Sequence, residues 1–210
     1  MMPRTDTVWP VVHDERAALV RDLETLTHEQ WEAPSLCAGW TVHDVLAHLI
    51  DSATTTRRGF VRRMIAARGD FDRDNAVGVE RERATHPDAT LASFRRVVNR
   101  TDTPPAALAT RLVEAFVHGE DIRRPLGISR GYPAQHVLTA LRYQARTPES
   151  FGGGRERARA VRLVVTDAGV TIGSGPEATG TATALLLALS GRPVREGEIQ
   201  GPGAGPVVRR

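Results

Sequence analysis

The sequence predicts an α+β protein: an up-and-down four-helix bundle over residues 1–130, followed by a small α+β domain with a flexible tail over residues 131–210. Three observations carry this reading. Apolar residues recur at mixed three- and four-residue spacing as far as about Arg124, the period of amphipathic helices. Gly152-Gly153-Gly154 and the arginines after it interrupt that pattern. Beyond them, Val161-Arg162-Leu163-Val164-Val165 and Val170-Thr171-Ile172 flank Asp167-Ala168-Gly169, two β-branched runs about a turn, which is the signature of a hairpin.

The first helix is expected from Val11 to Leu26, with Val12, Ala17, Leu19, Val20, Leu23 and Leu26 on its apolar face. A polar connector holding Trp31, Pro34, Cys37 and Gly39 leads to Thr41 and Asp44, spaced as a capping box, with Trp40 ahead of the cap as a staple residue. The second helix is expected to run unbroken from Val42 to about Arg68. The third region, Asn75 to about Arg100, is interrupted at His86-Pro87-Asp88, so that a second piece begins at Thr90. The fourth helix follows Pro104-Pro105, carries Leu108, Leu112, Ala115, Gly119 and Ile122, and is stopped by Pro125 and Gly127. Gln135 to Arg146 reads as helical, Gly180 to Leu189 as a small-residue helix closed by Gly191, and Glu198-Ile199-Gln200 as a short strand. The Gly- and Pro-rich tail from Gly201 reads as loose.

Hydrophobic residues are 40% of the chain and charged residues 25%, which is ordinary for a folding sequence and argues against extended disorder. Every one of the 28 basic residues is arginine, yet the net charge is only +3, because 25 acidic residues are interspersed among them. The closest approaches to a basic stripe are Arg57, Arg58, Arg62 and Arg63, and the pair Arg95 and Arg96. At helical spacing these read as solvated faces, so no nucleic-acid partner is expected. The single cysteine, Cys37, rules out an internal disulfide framework and the Cys-rich zinc motifs; it reads as a packing residue. The longest apolar stretch, Ala182 to Leu189, is far short of the roughly 20 residues a bilayer requires, and no signal peptide is apparent. The expected address is cytoplasmic, with no membrane partner.

Chemistry centres on Glu114 and His118, four residues apart and therefore one above the other on a helix face. The same spacing recurs in Glu24/His28 and Glu82/His86, so spacing alone does not choose among them. Setting does. The other two pairs sit at polar helix ends, whereas Glu114/His118 stands among Leu112, Val113, Ala115, Phe116 and Val117, where a carboxylate is costly unless paired or coordinating. Helical bundles hold metals with such inward carboxylates and imidazoles from facing helices. His48 is the natural third donor, although its own helix does not require it: on the helical wheel it lies off the apolar face, with Asp44 and Asp51, and on that evidence alone it reads as a surface or groove histidine.

The run Pro34-Ser35-Leu36-Cys37-Ala38-Gly39-Trp40-Thr41-Val42-His43-Asp44-Val45-Leu46-Ala47-His48-Leu49 resembles the start of the second helix in the mycothiol-dependent maleylpyruvate isomerase family. The run Glu114-Ala115-Phe116-Val117-His118-Gly119-Glu120-Asp121-Ile122-Arg123-Arg124-Pro125-Leu126-Gly127 is similar to that family's fourth-helix signature, and Val161 to Gly173 and Gly180 to Arg192 echo its C-terminal domain. The resemblance implies a DinB-like metal-binding four-helix bundle in which His48, Glu114 and His118 bind a divalent metal, usually taken as zinc, facing an open groove at the end of the bundle. Three protein ligands leave a coordination position for water or substrate. Asp44 and Asp121 then become candidates for orienting the imidazoles, although Asp44 is already accounted for by the capping box and Asp121 has Arg123 and Arg124 as alternative partners.

The resemblance further implies mycothiol, a low-molecular-weight thiol of actinobacteria, as cosubstrate, and a small electrophilic, carboxylated substrate. In the namesake reaction the thiol adds to maleylpyruvate, rotation follows, and elimination gives fumarylpyruvate. Arg123 and Arg124 are candidate partners for the carboxylates, or equally charges closing a helix C-terminus. The expected function is thus a metal- and mycothiol-dependent isomerase or S-transferase acting as a monomer or homodimer. The alternatives on the same bundle are a non-catalytic metal- or thiol-binding protein and a metal-dependent hydrolase; the absence of an evident general base counts against the last.

Overall fold

In the computed structural model of the chain, which describes residues 5–209, helix follows helix as far as Gln144 and strands begin only at Arg162. The α+β class is the one the sequence indicates. Two compact units emerge: Thr5–Arg111 with His118–Arg130, and Leu112–Val117 with Gly131–Arg210.

The first unit is helical. Its elements are α1 (Thr5–Leu23), α2 (His28–Trp31), α3 (Val42–Thr54), α4 (Arg57–Ala66), α5 (Phe71–Glu82), α6 (Pro87–Val97) and the ends of α7 (Ala109–Arg123). The core is built from Leu19, Val20 and Leu23 of α1, Val45, Leu46, Leu49 and Ile50 of α3, Leu91, Phe94 and Val97 of α6, and Ile122 of α7. Cys37 packs partly buried against this core. Proline initiates α6 rather than ending the preceding helix: Pro87 occupies its first turn, where a missing N–H costs nothing, so α6 starts three residues before the expected Thr90.

The single helix expected from Val42 to Arg68 is in fact two, and three consecutive threonines explain the break. Thr54 and Thr55 donate their hydroxyls back to the carbonyls of Ile50 and Asp51, at 3.1 and 2.8 Å. Thr56 is extended and caps the next helix, its hydroxyl accepting the Gly59 N–H at 3.1 Å.

Helix α4 buries no residue among those described. What fastens it is Arg63, which grips the Asp51 carboxylate with Nη1 and Nη2, both at 2.8 Å, and the Asp74 carboxylate with Nε and Nη2, at 2.8 and 2.9 Å. Burial alone would lower the Arg63 pKa; the hydrogen bonds to Asp51 and Asp74 outweigh it and hold the guanidinium above its ordinary range. Arg81 reaches Asp51 as well. Gly78 on α5 is the space that admits this carboxylate, since a Cβ there would lie 2.6 Å from Asp51 Oδ2.

The second unit holds α8 (Ala134–Gln144), α9 (Arg155–Ala158), β1 (Arg162–Val165), β2 (Val170–Gly173), β3 (Glu177–Gly180), α10 (Ala182–Leu189), β4 (Ile199–Gln200) and α11 (Ala204–Val208). The sheet order is β2-β1-β3-β4; β1 and β2 form the expected antiparallel hairpin, with Leu163 opposite Ile172. Strand β3 lies parallel to β1, with Leu163 opposite Ala178. To return alongside β1 the chain needs Gly175, at φ +125°, where a Cβ would meet the Ala160 carbonyl oxygen at 2.1 Å. Helix α10 is apolar except for the partly exposed Thr183 because nearly all of it is buried, lying on α8 and the sheet. Asp167 in the hairpin turn accepts the Ala182 N–H at 2.8 Å and so docks the start of α10. The tail is not loose: α11 buries Val207 completely, and Gly203 donates to the Glu177 carbonyl at 2.7 Å. Among the described residues, no helix is long and apolar enough to cross a membrane.

Candidate functional site

The loop before α3 is a tight structure made by its own polar groups. The Ser35 N–H donates to the Trp40 carbonyl at 2.9 Å, the Ser35 hydroxyl accepts the Cys37 N–H at 3.1 Å, and Trp40 donates to the Cys37 carbonyl at 3.1 Å. The expected capping box follows. Asp44 accepts the Thr41 N–H at 2.9 Å and the Thr41 hydroxyl accepts the Asp44 N–H at 3.2 Å. Arg83 takes the other carboxylate oxygen at 2.8 Å. Asp44 is therefore engaged at the head of its own helix and in an ion pair, which answers its alternative role as an orienter of His48 in favour of the cap.

One turn along α3, His48 is half-buried with its ring centroid 5.1 Å from that of Trp40 and 4.9 Å from that of His118, the last pair edge to face at 76°. Two histidines 70 positions apart in sequence thus face each other across α3 and α7. On α7, His118 Nδ1 lies 2.9 Å from Asp121 Oδ2, and Asp121 is fully buried. Glu114, one turn before His118 on the same helix, is buried at 8% exposure, the costly setting the sequence indicates.

Among the described residues, the His, Cys, Asp and Glu side chains as they stand form no group of three that could hold a metal ion. The chemistry of the donors does suit one. Two imidazoles and a carboxylate are a ligand set of catalytic zinc, and an imidazole whose second nitrogen is held by a carboxylate is the usual form of a metal-binding histidine. His48, His118 and Glu114 are of the donor types such a metal takes.

The other expected residues fall as follows. Arg123 is completely buried, its Nε 2.7 Å from Asp22 Oδ2 and Nη1 3.5 Å from Glu15 Oε2; the structure spends it on joining α7 to α1. Arg124 keeps partial exposure, with Nε on Glu120 Oε2 at 2.7 Å. Of the competing Glu/His pairs, Glu24 is paired with Arg95 and Glu82 with Arg81, each at 2.9 Å, and His86 stands at the head of α6. Cys37 packs against the core as the composition suggests. Sequence reasoning passed over His43. It is fully buried, its Nε2 2.8 Å from Thr90 Oγ1 and its Nδ1 3.7 Å from the Glu32 carboxylate. Burial, reinforced by the nearby positive charge of Arg83, pushes its pKa down against the opposing pull of Glu32 and Asp44.

Comparison with known proteins fits this picture. Residues 12–109 match the family model described as "Mycothiol maleylpyruvate isomerase N-terminal domain", which bears out the resemblance read from the sequence; the matched segment contains His48 and stops before Glu114 and His118. Two solved structures share the fold. The crystal structure of the mycothiol-dependent maleylpyruvate isomerase is 15% identical with TM-score 0.63, and that of a histidine-to-alanine mutant of a protein so described is 13% identical with TM-score 0.66. Each alignment covers 96% of this chain and 94% of the other. No curated protein matches the chain in sequence.

Proposed function

We propose that this chain, residues 12–109 of which match the model of the mycothiol maleylpyruvate isomerase N-terminal domain, is a metal- and mycothiol-dependent isomerase or S-transferase acting on a small, electrophilic, carboxylated substrate. The observation that supports it best is the facing pair His48 and His118, with His118 held by buried Asp121. His48, His118 and Glu114 would hold the divalent metal, zinc being the cation such donors suit. When bound, the metal would stabilise a thiolate at neutral pH, where a free thiol of pKa about 8.5 is mostly protonated.

The residues of the chain itself supply position and surroundings. Trp40 walls one side of His48, leaving that imidazole few ways to turn. Arg124, the more exposed of the two arginines ending α7, is the candidate partner for a substrate carboxylate, exchanging Glu120 for it; Arg123 holds α7 in place from behind. Cys37 takes no part in the chemistry, and the nucleophile is the external thiol.

The test is to load the protein with zinc and incubate it with mycothiol and a panel of activated alkenes and strained-ring electrophiles. Turnover that requires the thiol supports the proposal. Turnover without thiol would make the protein a hydrolase, and binding without turnover would make it a carrier or sensor.

A further inference from the structure

We infer that Asp121 is the positioning residue of this site, fixing His118 with its side chain and the Trp40 loop with its main chain. The side-chain half follows from hydrogen-bond chemistry. A carboxylate accepts and does not donate, so the Nδ1···Oδ2 contact of 2.9 Å places the imidazole hydrogen on Nδ1 and leaves the lone pair on Nε2. Because Asp121 has no exposed surface, no solvent competes for that hydrogen, and the ring is held to one tautomer and one orientation.

The main-chain half starts from proline. In a helix the Asp121 carbonyl would accept the N–H of the residue four positions on, but that residue is Pro125, which has none. The vacant acceptor is taken by the Leu36 N–H at 3.1 Å. Leu36 belongs to the hydrogen-bonded loop that ends at Trp40, and Trp40 lies against His48. One buried residue thus sets His118 directly and His48 through the loop. That the two histidines are metal donors rests on the reading proposed above; the tautomer and the loop contact stand without it.

The experiment uses the full chain. The His118 tautomer is read in metal-free protein from long-range nitrogen–proton spectra in alkaline buffer, with His118→Gln to assign the signal, and cobalt(II) affinity is read from visible absorption. Wild type should show Nδ1–H. Asp121→Ala should switch to Nε2–H and lose roughly 10- to 100-fold in cobalt affinity, as expected when the outer partner of a ligating histidine is removed. Asp121→Asn, which keeps an accepting oxygen without the charge, should retain Nδ1–H and lose less. Wild-type cobalt binding combined with an unchanged tautomer and unchanged affinity in Asp121→Ala would overturn the inference while leaving the metal reading intact. A tautomer switch in a protein whose wild type binds no cobalt would do the reverse. If Asp121→Ala fails to fold, the near-isosteric Asn variant decides alone: weakened cobalt binding supports the inference, and wild-type affinity refutes it.

Discussion

Replacing Arg63 by glutamine removes a side chain that satisfies two buried carboxylates at once. The Asp51 and Asp74 side chains are 3% and 10% exposed, and each receives two guanidinium hydrogen bonds from Arg63. Arg81 still reaches Asp51, but it is 49% exposed and much of its charge is screened by water. Removing one member of a buried ion pair costs about 3–5 kcal/mol, chiefly because the partner charge is left desolvated. Helix α4 has no buried residue to hold it in place afterwards, so it should lift away and let water reach the carboxylates, which keeps the cost near about 3 kcal/mol, the low end of that range. All three tryptophans lie in the helical unit, so their fluorescence in a urea titration reports that unit without interference from the sheet. Hydrogen exchange should show the α4 amides losing protection first. Arg62→Gln, one position away and exposed, is the control and should change stability by less than about 0.5 kcal/mol. A loss below about 1 kcal/mol for Arg63→Gln with α4 protection intact would show that something other than this ion network holds the helix.

Gly78→Ala should destabilise by about 1–2 kcal/mol by the same titration, because the new methyl sits within 2.6–2.7 Å of the Asp51 carboxylate and the overpacking exceeds the roughly 1 kcal/mol that alanine gains over glycine in a helix; a neutral or stabilising result would mean Asp51 moves freely. His43 gives a pH dependence. Its folded pKa lies below the ordinary 6.5, so above that pH both states are neutral and stability is complete; as pH falls below it the unfolded chain takes up the proton first and stability drains until the folded pKa is passed. Wild type should therefore lose urea resistance relative to His43→Gln as the pH is lowered below about 6.5, and parallel curves for the two proteins would refute the assignment.

The parts of this protein legible in its sequence were those in which local pattern and tertiary environment agree. The Thr41/Asp44 box, the hairpin about Asp167 and the termination of α7 follow from side-chain chemistry within a few residues, and the structure has them where the spacing puts them. The break in the second long helix escaped because apolar periodicity continues through Phe60, Val61 and Met64; only the hydroxyls of Thr54 to Thr56, competing for the backbone, reveal it. Strand β3 is Glu-Ala-Thr-Gly, without β-branched alternation, and exists because β1 offers it a parallel edge. The tail has a turn-rich composition, and its helix forms because Val207 finds a buried position. At the site, the setting of Glu114 and His118 could be read from neighbouring residues, whereas the pairing of His48 with His118 is long-range and was carried by family resemblance alone. Arg123 shows the converse error: in sequence it looks like a surface charge at a helix end, and only the packing of α7 on α1 shows it buried against Asp22 and Glu15.

Whether one metal held by His48, Glu114 and His118 activates an external thiol is decided by measuring bound metal and mycothiol-dependent turnover together in His48→Ala, Glu114→Ala, His118→Ala and Cys37→Ser. The three ligand variants should each lose the metal equivalent and the same activity, because a three-ligand site weakens sharply when any ligand is removed. Cys37→Ser should keep both, and its rate should rise with pH until the thiol is fully ionised. An inactive Cys37→Ser beside a His48→Ala protein with full metal and full rate would place the reactive thiol in the protein and contradict the mechanism.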